Sequence, residues 1–168
     1  YPDPGPEFWS PHMVSILVFN TGFLGNVPGN VYSFDYALAN LPSDAPIVEI
    51  GSFAGQSTNM LAYLAARHGV KNRLITCDPW DLSALMPAKS EHFVDPTFVS
   101  SDAFARYVKD CFVGAARLFS APYLPYTIQG TSDDLFRGWK AFEHPQLGPV
   151  VPATALHLRE LSADPAAT

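Results

Sequence analysis

The sequence predicts an α/β fold in which one domain forms a parallel sheet with helices on both faces. Three observations predict it. A length of 168 residues suits a single domain. A hydrophobic share of 48% with only 15% charged residues is typical of a chain that buries a core. Residues 44–78 run through an apolar stretch, a glycine-containing turn, an amphipathic stretch and a second apolar stretch, which is the pattern of a βαβ unit.

Charge and hydropathy exclude several classes of partner. Ten Lys and Arg stand against sixteen Asp and Glu, which gives a net charge of −6. Since basic residues never cluster, we expect no nucleic-acid partner. No apolar stretch approaches the ~20 residues of a membrane span, so we expect no membrane association. The first residues carry no positive charge of the kind that starts a signal peptide, and we therefore expect a cytoplasmic protein.

Cysteine and histidine give no indication of a metal site or a disulfide framework. Cys77 falls in a predicted core strand and Cys111 on the apolar face of a predicted helix, so both are expected to be buried free thiols. The five histidines have no partner at metal-ligand spacing, and we expect no bound metal. Only His12 and His92 lie in irregular segments that could cover a site.

The N-terminal segment, residues 1–31, is rich in Pro, Gly and Asn, and we expect an irregular lid. Within it, residues 13–19 are apolar and fit either a helix or a strand. Residues 32–41 predict a short helix, which Pro42 ends.

The next elements form the predicted βαβ unit. Ile47 to Ile50 predict a buried parallel strand. Residues 57–68 predict a helix with Ser57 or Thr58 as its cap, and residues 74–77 predict a second strand.

The rest of the sequence has a less regular hydrophobic pattern. Residues 79–100 are expected to be an irregular excursion with room for a helix, and residues 102–119 predict a long helix capped by Ser101 or Asp102. A third strand is predicted at 126–128, followed by a helix that runs through Trp139 with Ser132 or Asp133 as its cap. The predictions end with a short strand at 150–151 and a terminal helix at 153–161. The single domain thus divides into the lid at 1–31, a ligand-binding core at 44–140 and an atypical tail at 141–168.

The turn after the first predicted strand indicates a ligand site. Glu49, Gly51 and Gly55 follow an E-x-G-x-x-x-G spacing. Glycines at this point let the backbone approach a ligand closely. Phe53 fills the place of the second glycine in the dinucleotide motif G-x-G-x-x-G, which disfavours a nicotinamide cofactor. The loop also lacks the G-K-[ST] of a P-loop.

Two carboxylates accompany this turn. Glu49 lies in an apolar strand, where an unpaired charge is costly. Asp78 ends the second strand 23 residues after Gly55, at the distance expected for an acidic residue that binds ribose. Either carboxylate could instead cap a neighbouring helix.

At these residues the chain resembles the class I S-adenosylmethionine-dependent methyltransferases. VEIGSFAGQST is similar to their first motif and ITCDPW to the acidic end of their second strand. The helix FARYVKDCFVGAARLFS and the segment LPYTIQGTSDDLF are similar to the bacterial small-molecule or sugar O-methyltransferases. The resemblance covers roughly residues 30–140.

The resemblance implies a Rossmann-like sheet and S-adenosylmethionine as the cofactor. It implies that Glu49 and the turn backbone hold the methionine end of the cofactor, that Asp78 binds its ribose, and that Thr131 and Ser132 border the adenine beside Trp80. The predicted cofactor-binding residues are Glu49, Gly51, Ser52, Phe53, Gly55, Ser57, Asp78, Trp80, Thr131 and Ser132. Purely structural roles are the alternative: Ser52, Gln56 and Ser57 could simply cap the helix, and Trp80 could cover the core.

The C-terminal part departs from the family pattern. Family members continue into a fourth strand with an acidic motif such as IDGDH, whereas PQLGPVVPATALHLRELSADPAAT has no Asp before Asp164. No catalytic residue is therefore identified, and three interpretations stay open: a truncated form, a fragment, or a protein that a partner completes. The expected function is methyl transfer to a hydroxyl of a small-molecule or sugar acceptor. The alternative is a non-catalytic domain that binds a nucleoside or a protein and self-associates, as a homo-oligomer, through an incomplete sheet.

Overall fold

A computed structural model describes residues 9–19, 27–81, 99–140, 143–144 and 148–149 of the chain. The helices are α1 (Pro11–Phe19), α2 (Val27–Ala39), α3 (Gln56–Arg67), α4 (Ser101–Phe119) and α5 (Ser132–Lys140), with a 3-10 turn at Ala121–Tyr123 after α4. The strands are β1 (Ile47–Ile50), β2 (Leu74–Asp78), β3 (Tyr126–Gln129), β4 (Glu143–His144) and β5 (Gly148–Pro149).

The first three strands form a parallel sheet in which the spatial order follows the chain order, β1-β2-β3. Ile47 pairs with Leu74 in the first ladder, and Ile75 pairs with Tyr126 in the second. The two short strands β4 and β5 pair antiparallel in a separate ladder. A parallel sheet whose strands are joined through helices is an α/β arrangement, so the predicted fold class is confirmed at this level.

One face of the sheet packs against α5. Successive side chains of a strand point to opposite faces, and this face of β2 and β3 carries Ile75, Cys77 and Ile128. Leu135 of α5 is buried with them in one apolar cluster. The cluster keeps the end of β3 close to the start of α5.

The other face turns toward α3. A row formed by Glu49, Thr76 and Thr127 crosses the three strands in register. Thr76 and Thr127 lie close enough for their hydroxyls to hydrogen-bond, at 3.3 Å. Every residue of β2 is buried, because the strand lies between β1 and β3 and helices cover both faces of the sheet there.

The two N-terminal helices complete the core around α3. Met13 and Ile16 of α1, with Val31 and Leu38 of α2, are buried against Met60, Leu64 and Ala65 of α3. The segment 13–19, which fits a helix or a strand in sequence, is therefore helical. This part of the predicted lid belongs to the core.

Several element boundaries differ from the sequence predictions. The helix predicted at 32–41 begins at Val27 and ends at Ala39, because Pro28 falls in the first turn, where a missing N–H costs no hydrogen bond. Ser100 is the N-cap of α4, since its hydroxyl accepts a hydrogen bond from the Ala103 N–H at 3.2 Å.

Other predictions fall outside the described residues: most of the excursion at 79–100, including His92, the strand at 150–151 and the helix at 153–161. In the part of the chain that is described, no helix combines the length and apolar character needed to cross a bilayer.

Candidate functional site

The turn between β1 and α3 has an unusual backbone. Gly51, Phe53 and Gly55 adopt positive φ angles of 82°, 49° and 90°. A Cβ added at Gly51 would meet no heavy atom within 4 Å, whereas one at Gly55 would lie 2.9 Å from the Phe112 ring. Gly51 therefore leaves backbone facing open space, and Gly55 allows α4 to pack closely on the turn.

Asp78 ties this turn to the end of β2. Its Oδ2 accepts a hydrogen bond from the Phe53 N–H, and its Oδ1 accepts one from the Trp80 N–H, both at 2.8 Å. The side chain is only 4% exposed. Burial raises the pKa of Asp78 above its ordinary 3.8, and the two backbone hydrogen bonds oppose that shift. The carboxylate thus connects the ends of two strands. These two hydrogen bonds use two of its about four lone-pair sites, and the other two could accept from a ligand.

Trp80 packs beneath the same turn. Its indole Nε1–H donates to the Phe53 carbonyl at 2.9 Å, and its ring centre lies 5.0 Å from that of Phe112. Trp80 itself has a positive φ of 43°. The side chain is buried, which agrees with its interpretation as a core lid, and its contact with a cofactor stays a prediction.

Glu49 braces β1 against the first turn of α3. The hydroxyls of Ser57 and Thr58 each donate to one of its carboxylate oxygens, the Thr58 bond measuring 2.5 Å. Burial raises the pKa of Glu49 above its ordinary 4.5, while the two hydroxyl hydrogen bonds lower it and the charge of Asp78 raises it further. A negative charge at a helix N-terminus is also favoured by the helix dipole.

The residue that caps the start of α3 differs from the predicted one. Gly55 is the N-cap and no side chain caps the helix, so the expectation that Ser57 or Thr58 does so is wrong. Those hydroxyls bind Glu49 instead. Asn59 donates from Nδ2 to the Gly55 carbonyl at 2.8 Å and accepts at Oδ1 from the Ser120 hydroxyl at 2.5 Å.

Ser52 is a buried polar residue at the centre of the turn. It is 2% exposed, and its hydroxyl has no hydrogen-bond partner among the described residues. Buried hydroxyls are nearly always hydrogen-bonded in folded proteins. The Ser52 hydroxyl is therefore a buried donor whose hydrogen bond is not supplied by the described part of the chain.

Thr131 and Ser132 follow β3 at the same edge of the sheet. The Thr131 hydroxyl accepts from the Asp134 N–H at 3.2 Å, and the Asp134 carboxylate accepts from the Thr131 N–H at 3.0 Å. This reciprocal pair caps α5, so Thr131, rather than the predicted Ser132 or Asp133, is the cap. Ser132 is the first residue of the helix.

The structure thus brings most of the predicted site residues together at the carboxyl ends of the three strands. The Gly51–Gly55 turn contacts Asp78 and Trp80 directly, and Gly130 beside Thr131 donates its N–H to the Asp78 carbonyl at 3.1 Å. Glu49 and Ser57 bind each other on the α3 side of β1. No group of three or more His, Cys, Asp or Glu within the described ranges is placed to hold a metal ion.

Two residues at this edge were not predicted from the sequence. Lys109 of α4 donates to the Gln129 side chain at 3.0 Å, which sets a cation beside the end of β3. Asn59 links the turn to the end of α4. Asn59 does carry a signal, because it is a polar residue next to Met60 on a stripe expected to be buried, whereas nothing around Lys109 distinguishes it from a solvated lysine.

Comparison with known proteins does not assign this chain to a family. No protein-family model matches the chain, no curated protein matches it, and no solved structure matches it.

Proposed function

We propose that this protein transfers a methyl group from S-adenosylmethionine to a hydroxyl of a small molecule or sugar. We propose with it that the sheet is Rossmann-like and truncated in its C-terminal half. The observation that carries it is the positive-φ turn at Gly51–Gly55, held by the Asp78 carboxylate at the carboxyl ends of parallel strands. Ligands of open parallel sheets bind at that edge.

The surroundings of the turn suit a nucleoside with a cationic centre. Gly51 offers backbone that no Cβ shields, and the Ser52 hydroxyl is a donor without a partner in the ranges that the structure describes. The aromatic rings of Phe53 and Trp80 and the carboxylate of Glu49 would stabilise a positive sulfonium.

When bound, S-adenosylmethionine supplies an electrophilic methyl group that an acceptor oxygen attacks in line with the departing sulfur. The oxygen–methyl bond forms as the sulfur–methyl bond breaks, and the hydroxyl proton leaves to water or a base. The contribution of this chain is to bind and align the two molecules, since alignment alone lowers such barriers by several kcal/mol, about 7–11 in favourable cases.

Ser52→Ala tests the site without disturbing the fold. The hydroxyl has no partner to lose among the described residues, so we expect the free energy of unfolding to stay within about 0.5 kcal/mol of wild type. S-adenosylhomocysteine, the product, should bind the wild-type chain in calorimetric titration and bind Ser52→Ala several-fold more weakly. NAD, titrated in parallel, should not bind.

Ser100→Ala is the matched control. This hydroxyl caps α4 and is not one of the predicted cofactor-binding residues, so its loss should lower stability by about 1 kcal/mol and change S-adenosylhomocysteine affinity less than Ser52→Ala does. Failure of S-adenosylhomocysteine to bind the folded wild-type chain would overturn the proposal. Binding of NAD instead would assign the turn to a nicotinamide cofactor.

A second candidate function is a non-catalytic domain that self-associates through its sheet. The observation in its favour is β1: its side chains are half-buried or exposed, and among the described residues it pairs with β2 alone. Ile50 at its end is 52% exposed. A strand edge of this kind is a template for pairing with a second copy.

Light scattering separates the two candidates. A dimer of the wild-type chain that becomes a monomer on Ile50→Lys, together with no binding of S-adenosylhomocysteine, would favour the interaction domain. A monomer that binds S-adenosylhomocysteine would favour the methyltransferase.

A further inference from the structure

The outward face of α4 carries large apolar side chains in contact with solvent. The buried residues of this helix lie on its other side; they are Ala105, Val108, Phe112, Ala116 and Phe119. On the outward face, Tyr107 is 58% exposed and Leu118 is 70% exposed. The half-buried Cys111 lies between them on the same line, since the spacings of four and seven residues are helical. An exposed apolar line of this kind is typical of an interaction surface.

Two opposite charges stand on the same outward face. Asp110 and Arg117 are both exposed residues of α4. They are about 10 Å apart along the helix axis, which is too far for them to pair with each other. Neither forms an ion pair or a side-chain hydrogen bond with another residue in the described ranges. The face therefore offers one unpaired charge of each sign.

Gly114 lies between these two charges, in the middle of the face. It is exposed, and a Cβ added there would meet no heavy atom within 4 Å. Packed helices in proteins approach to about 8–10 Å between their axes, depending on the side chains at the contact. Because Gly114 has no side chain, a second helix can come close to α4 at this point.

This arrangement is complementary to itself. At 100° per residue, Asp110 and Arg117 fall on one side of Gly114, and Tyr107 and Leu118 fall on the other. If α4 of a second copy lies antiparallel across Gly114, Asp110 comes level with Arg117 of that copy. Tyr107 comes close to its Leu118, and two-fold symmetry makes each contact twice. A parallel arrangement would instead set Asp110 level with Asp110, where like charges repel.

We propose that α4 is an interface for a second copy of this chain, in which two α4 helices pair antiparallel across Gly114. Two Asp110–Arg117 ion pairs and two contacts between Tyr107 and Leu118 hold the dimer. The glycine turn packs on the buried side of α4, where Gly55 faces Phe112. The interface therefore leaves the turn free, and it differs from the edge of β1. The proposal does not rest on methyl transfer.

Sedimentation velocity of the full chain at increasing concentration tests the dimer. A single pair of helices buries less than the ~1,200 Å² at which stable interfaces begin, so the association should be weak. We expect a dissociation constant of about 10–100 μM. The chain should then be mostly monomeric at about 3 μM and mostly dimeric at about 500 μM. A wild-type chain that is still monomeric at the higher concentration overturns the proposal.

Charge reversal locates the interface and its direction. Asp110→Arg and Arg117→Asp should each weaken the dimer by about tenfold or more, because like charges then meet. The double variant restores opposite charges and should dimerise within about threefold of wild type. An equal mixture of the two single variants should form a heterodimer for the same reason. Asp44→Arg, the same change at an exposed residue before β1, is the matched control and should dimerise as wild type.

Circular dichroism and thermal melting confirm that each variant is folded before its association is measured. An unchanged dimer in Asp110→Arg overturns the assignment to α4, and a double variant no better than the single ones overturns the antiparallel pairing. Ile50→Lys should leave this dimer intact, so a dimer lost only in Ile50→Lys assigns the association to β1 instead. Titration of Asp110→Arg with S-adenosylhomocysteine reads the glycine turn separately, and its affinity should match that of wild type.

Discussion

Glu49 links the stability of the fold to pH. Its pKa is raised above the ordinary 4.5, chiefly by burial, so the folded chain holds this proton more tightly than the unfolded chain. Its contribution to stability is therefore fully present below pH 4.5 and is lost as the pH rises through the raised pKa. Glu49→Gln should flatten this decline in urea unfolding measured from acid to neutral pH. The raised pKa of Asp78 acts in the same direction and leaves a residual slope.

Ser57→Ala provides the opposite change at the same carboxylate. The Ser57 hydrogen bond lowers the pKa of Glu49, so its removal should move the decline in stability to higher pH. A pH profile that is identical in wild type, Glu49→Gln and Ser57→Ala would contradict this account of Glu49.

Cys77 should be an unreactive thiol. Burial and the nearby carboxylates raise its pKa to about 11, and its S–H points to the Gly130 carbonyl at 3.1 Å. Because the thiolate is the reactive form, a maleimide at pH 8 should label the half-buried Cys111 of the native chain and leave Cys77 unlabelled until denaturant is added. Mass spectrometry of wild type and Cys111→Ser counts the adducts. Labelling of native Cys111→Ser would show that Cys77 is accessible.

The residues of the candidate site were easier to predict than their partners. Glycine spacing and strand-end carboxylates placed Gly51, Gly55 and Asp78 at one edge of a sheet. The sequence does not show that both Asp78 oxygens bind backbone N–H groups, because those bonds depend on the path of the turn. It also does not show that Ser57 faces Glu49 instead of capping the helix.

At the scale of the elements, the packing of α4 on the turn depends on Gly55. Its φ of 90° and the Phe112 ring 2.9 Å from an added Cβ both oppose a side chain. Gly55→Ala should destabilise the protein by about 2–4 kcal/mol. Gly114 in α4 has open space and an ordinary helical backbone, so Gly114→Ala should stabilise by about 0.5–1 kcal/mol. Chemical denaturation of the two variants gives both values, and the same sign in both would contradict the argument.

The elements best predicted were those with a clear hydrophobic periodicity and with Gly or Pro marking their ends. The two strands of the βαβ unit follow from their apolar runs. Helix α3 follows from its apolar stripe and from Gly69, since glycine commonly stands just after the end of a helix. The segment at α1 was ambiguous because residues 13–19 are apolar on nearly every side. The start of α2 was missed because Pro28 and Gly29 resemble a break, although a proline in a first helical turn is tolerated.

At the scale of the whole molecule, α1 should unfold together with the sheet. Ile16 is fully buried against α3, whereas Val18 on the same helix is 66% exposed. Ile16→Ala should lower the free energy of unfolding by about 2–5 kcal/mol, and Val18→Ala should change it by about 0.5 kcal/mol or less. Both variants should unfold in a single transition monitored by circular dichroism. A small effect of Ile16→Ala would mean that α1 is not part of the cooperative core.

The architecture as a whole was predictable to the level of a parallel α/β sheet, because consecutive βαβ units specify neighbouring parallel strands. The pocket of about 260 Å³ beside the latter half of α3 was not predictable. Side chains from three separate stretches of chain form it, at residue 12, at 62–67 and at 119–123, and no local pattern places His12 next to Phe119.

Asn59 has a further consequence, since one amide serves two distant parts of the molecule. Inverting it would set its oxygen against the Gly55 carbonyl, so the amide has one orientation, in which it connects the glycine turn to the end of α4. A ligand that shifted the turn and broke the bond from Asn59 to Gly55 would leave the Ser120 hydroxyl bound to an amide that is no longer held. We therefore expect the conformations of the turn and of the end of α4 to be coupled, and such a coupling acts with the same free energy in both directions.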